Sequence, residues 1–430
     1  MRAAHQIIMP SSIFTPGDLA SSMRGACSLA PQFYTPGTGV TSIPDAHRFR
    51  RHGNSMDTQR FHPYLVLIAL VAGAVALVFG LSGNPQGDLG LFFSTGAEAA
   101  PIFLIATLAF LALDRPRLRP VVSLLTALFV LGLALVGWFF SIAPWYDIMD
   151  AGEMPVEAAV ALLAGFILSI GAASLCLLLY SVRVRRFLAR WIPIDPENFV
   201  HTTAFVVVAA IALLPLVPLL VLGHPPLVDL IGDPSMDFGA LTPTEAAKTD
   251  LYGLVWTLAG AFLAVGLFVK RSFPEVLDRL GLVRPTIRSF SFAVAVGLGL
   301  VLVFGVVDHV IVAVWEYFGW YVTDEAYTEA LFSSYLTPVA AVVAAIVAGV
   351  GEEVAVRGVL QPRFGILLSC LVFAALHAYQ YAWDGLVSVF LAGLVFAVLR
   401  ARTSTTVSAV THATYDLVLF SMMIAGISWI

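Results

Sequence analysis

The sequence predicts an all-α, polytopic membrane protein. Of its 430 residues 59% are hydrophobic and only 12% are charged, and the apolar residues are gathered into long runs separated by short polar loops. A mean hydropathy of +0.90 excludes an ordinary soluble protein. The formal net charge of −5 says little about partners, because in a membrane protein the informative quantity is which loop carries the charge. No basic patch points to nucleic acid. Cys27, Cys176 and Cys370 lie far apart, without the spacing of a metal or redox site, and read as small core residues.

Residues 1–60 are rich in Ser, Pro, Gly and Arg, contain no Glu or Lys, and lack the apolar core of a secretory signal; they read as a disordered N-terminal tail. An Arg- and Ser-bearing, acid-poor start also fits a transit peptide, and Met56 would open a conventional lead into the first span. From Tyr64 the chain becomes a series of runs near the roughly 20 residues that a bilayer requires. They fall at 64–82, 99–113, 120–141, 157–181, 200–222, 251–269, 289–312, 337–357, 364–381, 385–399 and 405–428, eleven in all. The second and tenth are short enough to be re-entrant or tilted.

The loops between them alternate in charge. Arg115, Arg117 and Arg119 follow the second run, Arg183, Arg185 and Arg186 the fourth, Lys270, Arg271 and Arg279 the sixth, and Arg400 and Arg402 the tenth. The intervening loops carry Asp88, then Asp147 and Asp150, then Asp229, Asp233 and Asp237, then Asp324 and Glu325. The positive-inside rule puts the N-terminus in the cytoplasm and the C-terminus outside. The expected location is the cell (plasma) membrane. The long loops after the fifth and sixth runs divide the chain into an accessory six-helix block, 61–270, and a five-helix block, 286–430. No internal repeat supports an inverted-repeat transporter.

The eighth run carries the most unusual feature. Its apolar approach, 337–350, leads into Gly-Glu-Glu-Val-Ala-Val-Arg, with Glu352, Glu353 and Arg357. Ionisable groups inside a membrane helix are rare and mark function by default. The two glutamates point about 100° apart and cannot share one partner, whereas Glu353 and Arg357 at i, i+4 lie on one face and can pair. One acid is braced and the other is left free. Downstream runs carry Phe373 with His377, then His412 with Asp416, again at i, i+4. Each has a plainer reading. The Glu353–Arg357 pair alone is what a structural bridge near an interface looks like, Phe373 fits core packing, and a lone membrane His is commonly a hydrogen-bonded packing residue. Asp308 with His309, Glu98 and His201 fall near span ends and read as structural or interfacial.

Glu352-Glu353-x-x-x-Arg357, Phe373-x-x-x-His377 and His412-x-x-x-Asp416, in that order on successive apolar runs, resemble the EExxxR, FxxxH and HxxxN/D motifs of the CAAX-protease and bacteriocin-processing (CPBP) family of intramembrane peptidases. The resemblance covers 336–420 and is of the type II CAAX prenyl endopeptidase kind. It implies that the first glutamate and first histidine handle water while the last pair forms the oxyanion site.

The residues themselves suggest the same division. Peptide hydrolysis in a membrane needs water, a base to activate it, and donors for the oxyanion. Glu352 is the expected base, His377 its partner in holding water, Glu353 with Arg357 the bracing pair, and His412 with Asp416 the group that polarises the substrate carbonyl. An ionised Asp416 can only accept hydrogen bonds, so it would be protonated or would orient His412. A second chemistry stays open: Glu352, His377, His412 and Asp416 could ligate zinc with an open water position, although no HExxH is present. The expected partners are the lipid bilayer and a membrane-tethered protein or peptide, processed in a CaaX-like or leader-peptide manner. The alternative is a non-catalytic membrane scaffold or transporter-associated protein that keeps the fold. Counted from Phe364, His377 lies roughly 20 Å deep, deeper than Glu352, so the ninth run is expected to start later, or to tilt and break.

Overall fold

A computed structural model describes residues 61–82, 87–150, 152–231 and 241–427. The tail, 1–60, and the loop acids Asp233 and Asp237 lie outside the described residues. The architecture is a helix bundle; among the described residues no strand forms, and one isolated bridge joins Leu267 and Arg271. The chain is an integral, multi-pass membrane protein. Large aliphatic side chains such as Leu67, Ile68, Leu124, Leu128 and Val306 stand more than half exposed around the outside, the inverse of a soluble surface and the expected dress of a lipid-facing one.

The principal helices are α1 Pro63–Ser82, α2 Gly87–Thr95, α3 Ala100–Asp114, α4 Arg119–Phe140, α5 Val156–Leu178, α6 Phe199–Leu213, α7 Pro243–Ala264, α8 Ile287–Phe318, α9 Pro338–Glu352, α10 Gln361–Ala375, α11 Trp383–Arg402 and α12 Thr405–Ile424. Among the described residues eight helices or helix runs are long and apolar enough to cross a membrane, or nine if the bent pair α2 and α3 is one span. Two features separate this from eleven. The expected sixth span, 251–269, belongs to a helix that starts earlier, where Thr242 and Glu245 form a reciprocal capping box; its first turns carry Glu245, Lys248 and Asp250. Lys248 reaches Asp88 at 2.9 Å, and buried Asp250 accepts from the Tyr335 hydroxyl at 3.3 Å.

The expected eighth and ninth spans form one run, Pro338–Ala375, of 38 residues. Straight, it would be about 57 Å long, nearly twice the hydrocarbon thickness. It is not straight: Gly365 has φ 80° and ψ 175°, a conformation that glycine alone adopts freely. The ninth run is therefore broken at Gly365, one of the two alternatives, a later start or a tilt and break, expected for it. The second run, expected to be re-entrant or tilted, is preceded by a short helix at an angle to it. α2 and α3 meet at 58°, and Gly96 sits in the bend because the Trp256 indole occupies the space a β-carbon would need, 2.4 Å away. The indole nitrogen of Trp256 donates to the Phe92 carbonyl at 2.7 Å and locks the corner.

Small residues bring the site helices together. A β-carbon on Gly349 of α9 would lie 2.5 Å from the Ala413 backbone nitrogen and 2.8 Å from the Ala409 carbonyl of α12. One on Gly297 of α8 would lie 2.7 Å from the Thr411 carbonyl. Backbones in lipid approach this closely only where side chains are absent, because van der Waals contact replaces the hydrophobic effect as the driving term. α12 is thereby clasped between α8 and α9, with His412 and Asp416 facing the acids. The two blocks read from the sequence are not separated in space: α7 packs along α9, and Ala261 and Val265 share a buried cluster with Val354.

Candidate active site

Past Glu352 the helix widens into a π-helical stretch, Glu353–Leu360, a geometry that is rare and concentrated at functional sites. Glu353 and Arg357 are both fully buried within it, with Arg357 Nε 3.6 Å from Glu353 Oε2. Arg357 Nη2 donates to the Gly393 carbonyl at 3.0 Å, and its guanidinium lies 4.1 Å over the Phe373 ring. Gly393 makes this possible, since a β-carbon there would stand 2.8 Å from Phe373 and 3.1 Å from Arg357 Nη2. Phe373 touches the arginine and both histidines: its ring centroid lies 5.0 Å from that of His377 and 6.2 Å from that of His412, both edge-on.

The two glutamates do share a partner, which corrects the expectation from their divergence. His412 Nδ1 is 3.2 Å from Glu353 Oε1, and its Nε2 is 3.9 Å from Glu352 Oε2. An imidazole carries a nitrogen on each of two edges, so it can bridge groups that point apart. The ring is held flat against Phe396, 4.4 Å centroid to centroid at 20°. Asp416 Oδ2 lies 3.4 Å from the same Nε2. Ser408, four residues before His412, donates to Glu353 Oε2 at 2.6 Å. Ser408, Phe396 and Gly393 were missed in the sequence. Only Ser408 left a signal there, a polar residue at i, i−4 from His412.

His377 is held differently. It lies just past the end of α10, 4% exposed, with Nδ1 2.8 Å from the Phe373 carbonyl. A carbonyl can only accept, so Nδ1 carries the proton and the neutral ring presents Nε2 as an acceptor. Glu352 is the acid with room: its side chain is 16% exposed where that of Glu353 is 0%, and its Oε2 makes no hydrogen bond.

Glu352 and His377 face one cavity of about 220 Å³. Phe373 and Gln380 complete that wall, and the opposite wall comes from the first half of the chain, with Thr95, Glu98 and Phe103 around the bend and Thr257 from α7. His412 and Asp416 stand behind Glu352 and do not line the cavity. Glu98, read as a residue near a span end, lies in the turn between α2 and α3, between Gly96 and Pro101, and lines the cavity. Asp308, read as structural or interfacial, is 4% exposed and accepts from Ser388 Oγ at 2.5 Å. His309 Nδ1, next to it, contacts the Gly305 carbonyl at 2.6 Å within its own helix.

Among the described residues no three His, Cys, Asp or Glu side chains converge as a set that could hold a metal ion. The nearest combination, Glu352, His412 and Asp416, has both acids on the same imidazole nitrogen at 3.9 and 3.4 Å, where a metal would require them to point at a common point between them.

Neither the curated proteins nor the solved structures gave a match to the chain. A family model described as type II CAAX prenyl endopeptidase Rce1-like matches residues 334–418, about a fifth of the length. The matched stretch runs from the approach to α9 to the middle of α12 and contains every acid and histidine of the Glu352 to Asp416 constellation. Helices α9 to α12 are therefore similar, over 334–418, to the Rce1-like type II CAAX prenyl endopeptidases.

Proposed function

We propose that the protein is an intramembrane endopeptidase that hydrolyses a peptide bond of a membrane-tethered protein or peptide with water activated by Glu352. The observation that carries this reading is the asymmetry of the two acids. Glu353 is committed to Arg357, Ser408 and His412, while Glu352 keeps an unpartnered oxygen at a cavity wall that it shares with His377.

Water entering the cavity would donate one hydrogen to His377 Nε2 and the other to Glu352. Attack on the carbonyl transfers the second proton to the carboxylate as the C–O bond forms, and the tetrahedral oxyanion collapses as Glu352 passes that proton to the departing amine. His412 Nε2, between Glu352 and Asp416, is the donor assigned to the oxyanion, and it would meet it only if the substrate carbonyl reaches past Glu352. Asp416 aims that nitrogen rather than donating itself. Three carboxyl groups, Glu352, Glu353 and Asp416, face two cations when His412 is charged. A neutral buried cluster therefore holds one shared proton, and Glu352 alone among the acids can exchange it with the cavity. No step is routed through a metal.

The purified protein in proteoliposomes, given a panel of lipid-anchored peptides in H₂¹⁸O, should release fragments whose new C-termini carry the heavy oxygen. Activity lost to a chelator and restored by zinc would move the mechanism to metal hydrolysis. A folded protein that cleaves none of the panel would favour the scaffold reading, consistent with His412 and Asp416 standing off the cavity wall.

The same proposal includes orientation in the cell membrane. Counting α7 as one crossing and the Pro338–Ala375 run as two gives eleven, a number consistent with basic loops in the cytoplasm. Cysteine labelling in intact cells should then modify the 224–250 loop from outside; protection of that loop from an impermeant reagent would overturn the topology.

A further inference from the structure

A second cavity, of about 320 Å³, lies beside the first and shares Ile102, Ala264, Val359 and Leu360 with it. Its polar groups are donors. Arg271 reaches it from the turn after α7, Arg279 from the short helix Phe273–Leu280 that follows, Arg363 from the start of α10, and His201 and Asn198 from the start of α6. His201 Nδ1 accepts from the Asp195 backbone nitrogen at 2.9 Å, so the neutral ring carries its proton on Nε2. Asn198 uses its carbonyl oxygen to cap α6, accepting from Val200 and His201, which leaves its amide N–H₂ group to give.

The arginines are poorly compensated. Arg279 donates to the Gly358 carbonyl at 3.0 Å and to that of Val359 at 3.4 Å, neutral groups both. Arg271 donates to the Val265 carbonyl and feels Glu275, which itself accepts from Ser272. Among the described residues Arg363 makes no hydrogen bond or ion pair. Burial, then repulsion from Arg271, Arg363 and Arg400, pushes the Arg279 guanidinium down to about 10. Three guanidinium groups held by neutral carbonyls or by none leave donors for an anion. The remaining walls are apolar, with Ile105 and Phe110 of α3, Val207 and Val208 of α6, and Val265.

We infer that this cavity binds an anionic phospholipid, its phosphate among Arg271, Arg279, Arg363 and His201 and an acyl chain along α3 and α6. Charge complementarity selects the head and the apolar walls select the chain, and a basic pocket between membrane helices is where acidic headgroups settle. Because Val359 and Leu360 belong to both cavities, an occupied lipid site would also stiffen the π-helical stretch that presents Glu353 and Arg357. The binding inference stands whether or not the protein proves to be a peptidase.

The test measures binding and thermal stability of the full-length protein in a zwitterionic detergent. Phosphatidylglycerol should bind and raise the Tm, and phosphatidylcholine at the same mole fraction should not. Charge reversal at Arg363, R363E, which breaks no hydrogen bond or ion pair among the described residues, should weaken phosphatidylglycerol binding at least roughly tenfold. Its Tm without lipid should stay at the wild-type value or above. Equal responses to the two lipids, or equal phosphatidylglycerol binding by wild type and R363E, would overturn the site. Dodecyl phosphate should bind at least tenfold more tightly than inorganic phosphate; parity between them would refute the acyl channel. An R363E protein that failed to fold would be replaced by R363Q, judged by the same loss of discrimination.

Discussion

Replacing Glu352 by glutamine should lower cleavage by about two to four orders of magnitude, the usual contribution of a general base, and leave the folded protein at its wild-type Tm. Glutamine keeps the shape of the side chain and can still accept a hydrogen bond, but it cannot take a proton from water. The stability half of the expectation follows from the position of the group. Glu352 makes no hydrogen bond through Oε2, is the least buried acid of the cluster, and lies 3.9 Å from its nearest charged neighbour, so little native interaction is lost. Wild-type activity in the Glu352→Gln protein would remove Glu352 as the base. A Tm drop as large as that of the neighbouring acid would make it structural.

Glu353→Gln should do the reverse in order of severity, with stability failing first. Glu353 and Arg357 have no exposed side-chain surface, and the carboxylate also receives Ser408 at 2.6 Å and His412 at 3.2 Å. Neutralising it strands a buried guanidinium whose other supports are a single carbonyl and an aromatic face. Leaving one member of a buried pair uncompensated costs roughly 3–5 kcal/mol, enough to unfold many domains. Activity should fall as well, because His412 loses the group that holds its Nδ1. Removing both charges together, as in Glu353→Gln with Arg357→Met, should recover part of the stability and none of the activity. Thermal unfolding and cleavage measured on the same preparations check this. Full recovery of cleavage in the double variant would mean that the pair serves folding alone.

The sequence by itself determined the class of molecule and the identity of the chemical groups. An apolar content of 59% in long runs leaves a helical membrane bundle as the one way to satisfy the backbone in lipid. Acids and histidines placed in such runs are costly enough that their presence identifies a site before any distance is known. The local pairings were legible too, since Glu353 with Arg357, Phe373 with His377 and His412 with Asp416 depend on helical spacing alone, and all three appear as contacts. Tertiary structure decided everything that depends on one helix meeting another. The bridging of both glutamates by His412 depends on how closely α9 approaches α12, which the absence of a side chain at Gly349 permits. The position of Glu98 on the cavity wall depends on a 58° bend where Trp256, a residue far away in the chain, packs against Gly96. The break in the helix that carries His377 depends on the backbone at Gly365, where periodicity carries no information because glycine can take φ of either sign. Spacing along a chain fixes which side chains share a face of one helix; which faces are pressed together is a matter of packing between helices, and small residues and breaks settle it through contacts that no single run contains.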